Sequence, residues 1–192
     1  MPIPLFWLLN ALVLTSACNL NQEGVRPPAN RIFFPGGAFM EDAGPGLGKW
    51  LYVVNSNSDL RYNAGTVAAV NLARVRQDYP FDATRLDAAG NPKKWQVCRR
   101  DSRWVPPANV GPDDRCCWDF LDPNVLSCDE QIYVNADSSV RIGNFGGRPV
   151  MQQLPDRRRM FVPVRGDASI GMIQVTSTPD GVSLLCTGPR TD

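Results

Sequence analysis

The chain has 192 residues, of which 43% are apolar and 20% charged, a composition of globular rather than disordered proteins. Its 20 basic and 19 acidic residues leave a net charge of +1, so we predict no nucleic-acid partner. There is no histidine, which removes the commonest general base and the commonest transition-metal ligand. We therefore predict no metal site and no cofactor, and favour a binding role over an enzymatic one.

Residues 1–17 form an apolar stretch that ends in small side chains. This pattern predicts a signal peptide, and it is too short for a typical membrane-spanning helix. The ending Leu14-Thr15-Ser16-Ala17-Cys18 resembles a bacterial lipobox, which implies that Cys18 is lipidated and becomes the new N-terminus. An ordinary secretory signal and a cytosolic chain are the alternatives. Residues 18–30 are polar and Pro-containing, which predicts a flexible tether.

Three segments share a pattern in which an apolar run, a polar turn and a second apolar run follow one another: 49–72, 131–147 and 159–175. β-branched and aromatic residues dominate the runs, which predicts antiparallel strand pairs and an all-β fold. Pro163 predicts an edge strand or a bulge, because proline lacks the backbone donor that a central ladder needs. A further strand is predicted from Val182 to Cys186.

The runs Tyr52-Val53-Val54-Asn55 and Tyr133-Val134-Asn135 resemble the YVTN-type β-propeller repeat, with Phe161-Val162-Pro163-Val164 as a variant. Together with the lipobox-like start, they resemble lipoproteins with propeller repeats from Gram-negative bacteria, of the myxobacterial type. The resemblance implies a first propeller-like blade at 31–74 and further blades within 131–192. These segments supply about two to three blades, whereas propellers close with four to eight. We therefore expect either a C-terminally truncated, incomplete propeller or an open sheet or sandwich.

Residues 75–130 form a Cys-rich insertion between the repeats, with cysteines at 98, 116, 117 and 128. In an exported chain these cysteines should be oxidised, so we predict that disulfides staple the insertion. Adjacent Cys116 and Cys117 rarely bond each other, which favours Cys98 pairing with one of them and Cys128 with the other. A four-thiolate metal site is the alternative.

Two further features belong to this pattern. With Cys18 lipidated, Cys186 is left over, and we expect its partner in sequence beyond residue 192. The tryptophans Trp95, Trp104 and Trp118 of the insertion are candidate binding anchors, although packing beneath the disulfides explains them equally well.

Four short motifs suggest ligands but have simpler explanations. Arg165-Gly166-Asp167 is predicted to be a hairpin turn rather than an adhesion triplet, with Gly166 supplying a positive φ and Asp167 bonding to the backbone. Residues 55–59 are predicted to form a hydrogen-bonded turn, with calcium as the alternative. Residues 156–160, DRRRM, are predicted to be a solvated linker rather than a phosphate site. Residues 44–48 lack the Lys-Ser/Thr of a phosphate-binding loop.

These predictions combine into a lipid-anchored protein of the cell envelope, most simply of the outer membrane. Its propeller-like domain would bind a protein or cell-wall ligand, with the membrane contacted through the lipid. The alternative is part of a propeller enzyme, either lactonase-like or a cofactor-dependent dehydrogenase. No catalytic residue is assigned for either activity.

Overall fold

The computed structural model describes residues 24–42, 44–45, 48–78, 116–118, 121–122, 125–134, 136–178 and 181–186. By its contacts the chain divides into two compact units, one formed by Met1–Asn71 with Val134–Asp192 and the other by Leu72–Tyr133. Cys18, Cys98, Trp95 and Trp104 lie outside the described residues, so the predictions made for them stay predictions.

The first unit contains two four-stranded antiparallel sheets. The strands of the first sheet, in spatial order, are β1 (Pro35–Asp42), β2 (Lys49–Asn55), β3 (Gly65–Asn71) and β6 (Ser139–Ile142). The second sheet is built from β7 (Val150–Gln153), β8 (Arg158–Val164), β9 (Ser169–Thr178) and β10 (Gly181–Cys186), which follow one another as hairpins. The prediction of an all-β fold is confirmed at this level.

The second unit contains the other described elements before Val134. They are a helix, α1 (Leu72–Asp78), the short antiparallel strands β4 (Cys116–Trp118) and β5 (Leu126–Cys128), and a 3₁₀ turn at Glu130–Ile132. A second 3₁₀ turn, Ala136–Ser138, leads into β6 in the first unit. Within the described ranges no helix is long and apolar enough to cross a membrane.

One hydrophobic core joins the two sheets of the first unit. The first sheet contributes Trp50, Tyr52, Val54, Val67, Ala69 and Ile142, and the second contributes Met160, Val162, Val164, Ile173, Val175, Val182 and Leu184. Strand β8 shows the period of two that such packing requires, because Met160, Val162 and Val164 are buried whereas Pro163 is exposed. Burial of each large aliphatic side chain contributes about 1.5–3 kcal/mol, so this shared core holds the sheets face to face.

Pro163 does not lie on an edge strand, since β8 runs between β7 and β9. Its carbonyl accepts a hydrogen bond from Gly147 N at 2.8 Å, and its partner on the other side is Ile170. The amide and carbonyl of one strand residue point to the same side, so the missing donor faces the connection before β7. The β7–β8 ladder ends at the pair Val150–Phe161, before Pro163 is reached. The missing amide of Pro163 therefore removes no hydrogen bond of that ladder.

The predicted strand is wrong at Tyr133 and Val134, which lie in no strand, whereas Asn135 lies outside the described residues. Residues 130–132 form a 3₁₀ turn, and Tyr133 N donates to Glu130 O at 3.0 Å. The Asp129 side chain caps this turn by accepting a hydrogen bond from Gln131 N, which gives the backbone a local alternative to a strand. By contrast, the second run of the same segment forms β6, and Tyr52–Asn55 lies within β2 as predicted.

Candidate functional site

The loops at one end of the first unit form a single connected surface, which we call the loop end. It comprises residues 24–34, the β2–β3 loop 56–64, the β6–β7 connection 143–149 and the β8–β9 turn 165–168. Phe145 N donates to Ser56 O at 2.7 Å, and Asn57 Nδ2 donates to Asn144 Oδ1 at 2.7 Å. Gly166 N donates in turn to Asn144 O at 3.1 Å. Backbone and amide hydrogen bonds therefore fix these loops to one another.

Backbone strain is concentrated at the loop end. The non-glycine residues with positive φ in the described part of the chain all belong to it: Phe34, Asn57, Leu60, Phe145 and Ala168. Side chains other than Asn and Asp rarely adopt this conformation, because the Cβ crowds the backbone. Strain of this kind clusters at functional sites, and the loop end is accordingly a candidate site.

The Arg-Gly-Asp sequence is a hairpin turn, as predicted, and it connects Val164 with its ladder partner Ser169. The predicted role of glycine is wrong, since Ala168 has the positive φ, at 51°, and Gly166 does not. Gly166 is needed for close approach, because a Cβ there would lie 2.8 Å from the Asn144 carbonyl oxygen. Asp167 accepts a hydrogen bond from the Ser169 hydroxyl.

Asn55, at the end of β2, and Asn57, in the β2–β3 loop, have structural roles. Asn57 Oδ1 accepts from Tyr62 N at 3.0 Å, and Asn55 Oδ1 accepts from Phe33 N at 3.0 Å. Asp59 Oδ1 accepts from Arg61 N at 3.2 Å. The side-chain oxygens of Asn57 and Asp59 are therefore engaged within the turn, which confirms the hydrogen-bonded turn, and that of Asn55 is engaged by the N-terminal segment. No cluster of three or more His, Cys, Asp or Glu side chains suited to a metal ion occurs in the described part of the chain.

A second candidate, which we call the buried polar cluster after its buried members Glu41 and Tyr52, links the two sheets and also includes the partly buried Arg158 and the exposed Gln153. Glu41 Oε1 accepts from Arg158 Nη1 at 3.0 Å and from Gln153 Nε2 at 3.3 Å. Glu41 Oε2 accepts from the Tyr52 hydroxyl at 2.8 Å. The Glu41 side chain is 3% exposed and that of Arg158 17%. The carboxylate is thus satisfied by its own neighbours.

The electrostatics of the buried polar cluster keep Tyr52 protonated. Burial raises the pKa of the Tyr52 hydroxyl above its ordinary value of 10.0, and the hydrogen bond to Glu41 raises it further. Arg158 and the Ser177 hydroxyl act in the opposite direction with smaller effect. The prediction that 156–160 is a solvated linker is wrong at Arg158. This residue lies in β8, and its side chain forms an ion pair with Glu41 of the first sheet.

The described cysteines lie in both units. Cys116, Cys117 and Cys128 are on β4 and β5, and Cys186 ends β10. Neither Cys128 nor Cys186 is a free thiol, so the predicted partner of Cys186 beyond residue 192 is not required. The pairing of the cysteines stays a prediction. No protein-family model, no curated protein and no solved structure matches the chain.

Proposed function

We propose that this chain is a lipid-anchored protein of the cell envelope whose β-sheets serve as a binding or scaffold module for another protein. A bacterial lipobox-like ending at Cys18 supports the anchor. Two consecutive four-stranded antiparallel sheets packed face to face support an arrangement of propeller-like blades.

The observation that carries the binding role is the outer face of the second sheet, the face opposite the shared core. Val150, Phe161 and Met172 form a row of directly opposed residues across β7, β8 and β9, and Pro163 lies opposite Ile170. Exposed fractions reach 62% at Val150, 64% at Ile170 and 62% at Leu185. In soluble proteins a solvent-facing sheet surface normally carries polar side chains or is covered by other structure. Contiguous exposed apolar patches mark interaction sites.

The apolar row of this face, which lies beside a row formed by Gln152, Arg159 and Gln174, fits a protein surface better than a polysaccharide. The hydroxyl groups of a polysaccharide would lose water there without gaining hydrogen bonds. We therefore favour a protein partner over a cell-wall glycan. The propeller-enzyme alternative stays a prediction from the sequence.

The binding role is tested by placing a photo-crosslinking amino acid at Leu185 in cells that produce the full chain. We expect adducts with a second protein from Leu185, and none from the same probe at exposed Arg157, which lies between β7 and β8. Loss of the Leu185 adduct in an Ile170→Asp background would support the outer face as the contact. Adducts of twice the chain's mass would show self-association instead, and equal yields from both positions would refute the binding face.

The anchor is tested separately by mass spectrometry of the mature N-terminus and by palmitate labelling. We expect a lipid mass on Cys18 and loss of labelling in Cys18→Ala. Labelling that persists in Cys18→Ala, or a mature chain without lipid, would remove the anchor while leaving the binding test unaffected.

A further inference from the structure

The N-terminal part of the loop end, residues 24–34, is hydrogen-bonded to β2 and to the β2–β3 loop. It is therefore not a free tether along its whole length. Asn63 N donates to Val25 O at 2.9 Å, and Asn63 Nδ2 donates to Gly24 O at 3.4 Å. Farther along, Asn55 Nδ2 donates to Arg31 O at 3.0 Å. From Gly24 onward, the predicted tether 18–30 is therefore docked on the first unit, and the chain enters that unit at the loop end.

The linker between the proposed anchor and the docked segment is short. About six residue steps separate Cys18 from Gly24, and a fully extended chain of that length spans at most about 20 Å. A lipid on Cys18 would therefore hold Gly24, and the surface around it, within that distance of the bilayer. The end of the domain nearest the membrane would be the loop end.

The charge of the loop end matches an anionic surface. Its four segments contain five arginines, at 26, 31, 61, 148 and 165, and two aspartates, at 59 and 167. The whole chain has a net charge of only +1, so positive charge is concentrated at this end. Each arginine near an anionic bilayer strengthens association by about fivefold.

Exposed apolar side chains lie among these arginines. Val25 is 66% exposed, Leu60 is 58% exposed and Phe34 is also exposed. Leu60 has a φ of 55°, a conformation in which asparagine or glycine is more favourable than leucine. An exposed leucine in a strained position does not serve folding, whereas an apolar tip flanked by Arg61 suits insertion between lipid headgroups.

We propose that the loop end is a membrane-contacting surface, with Val25, Phe34 and Leu60 entering the headgroup region and its arginines facing anionic phospholipids. This surface rests on the proposed anchor, which delivers it to the bilayer. A lipid anchor and a basic patch act together, because each strengthens an association that the other alone leaves reversible. The outer face of the second sheet then stays available to a protein partner.

The test maps lipid contacts in the full, processed chain reconstituted in vesicles of phosphatidylglycerol and phosphatidylethanolamine with a photoactivatable phospholipid. We expect lipid adducts on the peptides covering 24–34 and 56–64. Arg61→Glu should lower the adduct yield at 56–64 by about fivefold or more, and replacement of phosphatidylglycerol by neutral phosphatidylcholine should have a similar effect.

Leu60→Asn distinguishes a loss of membrane contact from a loss of folding. Asparagine tolerates the positive φ, so the variant should be at least as stable as the parent. It should nevertheless lose adducts at 56–64. Leu185→Asn and Arg157→Glu are the matched controls, and neither should change the yield there.

Two results would overturn the proposal: adducts spread equally over the loop end and β10, or yields at 56–64 that do not respond to Leu60→Asn and Arg61→Glu. The N-terminal mass of the same sample reports the anchor independently. A lipidated chain with no loop-end adducts refutes this surface alone, whereas a chain without lipid refutes the proposed anchor.

Discussion

The Tyr52 hydroxyl lies buried between the two sheets and donates to the Glu41 carboxylate. Burial, followed by this hydrogen bond, raises the pKa of Tyr52 above the value of about 10 that it has in the unfolded chain. Below pH 10 both states hold the proton and stability is unaffected. Above pH 10 the unfolded state loses the proton first, so the free energy of unfolding falls by up to about 1.4 kcal/mol per pH unit.

Urea unfolding of the wild type and of Tyr52→Phe between pH 8 and pH 11 measures this effect. The wild type should lose stability above pH 10, and Tyr52→Phe should lose less over the same interval. Equal slopes for the two proteins would show that folding does not raise the pKa of Tyr52.

In the β8–β9 turn, the small residues Gly166 and Ala168 should respond in opposite ways to exchange of glycine and alanine. Gly166→Ala should destabilise the protein by about 1–3 kcal/mol, because the new Cβ would meet the Asn144 carbonyl oxygen at 2.8 Å. Ala168→Gly should stabilise it by up to about 1 kcal/mol, because the φ of 51° costs alanine more than glycine. Thermal unfolding of the two variants checks both signs, and a stabilising Gly166→Ala would contradict the close approach.

The same turn shows what residue types reveal and what they conceal. Arg165-Gly166-Asp167 between two apolar runs is enough to predict a hairpin turn. The reason for the glycine was not predictable, because Asn144 is distant in sequence and reaches the turn only through the fold. The Glu41–Arg158 pair was missed for the same reason, since 117 positions separate its partners.

At the level of elements, strands with an uninterrupted apolar pattern were predicted correctly, as β2, β3 and β8 show. Strand β1 was not predicted, because its sequence PGGAFMED begins with proline and two glycines, which disfavour strands. Tyr133 and Val134 have the composition of a strand but follow a capping Asp129, and the local hydrogen bonds of the 3₁₀ turn prevail there. Helix α1 directly after β3 was likewise not predicted.

The β4–β5 pair selects among the cysteine pairings that the sequence left open. The ladder places Cys116 directly opposite Cys128, and Cys117 opposite Ser127. Directly opposed Cα atoms lie about 4.5–5.5 Å apart, which is within the range of a disulfide. We therefore expect a Cys116–Cys128 disulfide, which closes a loop of about 13 residues and contributes about 3 kcal/mol.

Non-reducing peptide mapping of Cys117→Ser and Cys116→Ser distinguishes the two adjacent cysteines. The linkage to Cys128 should persist in Cys117→Ser and disappear in Cys116→Ser. The reverse result would show that the β4–β5 register does not determine the pairing.

For the whole molecule, the sequence predicts the class of fold but not how its sheets are completed. Strand β6 joins β3 after an intervening segment of more than 60 residues, so its place in the first sheet is set by tertiary pairing rather than by a hairpin. The candidate site depends on the same kind of pairing, because the loop end brings together segments from four separate parts of the chain. Each has turn-forming residues, but their meeting is a property of the fold.

The central position of β2 and β3 in the first sheet predicts which backbone hydrogen bonds open last. Strands β2 and β3 have a ladder partner on each side, and most of their residues are buried. Strands β7 and β10 are the outermost strands of the second sheet. In native-state hydrogen exchange, amides of β7 and β10 should therefore exchange through local fraying, and those of β2 and β3 only through global unfolding.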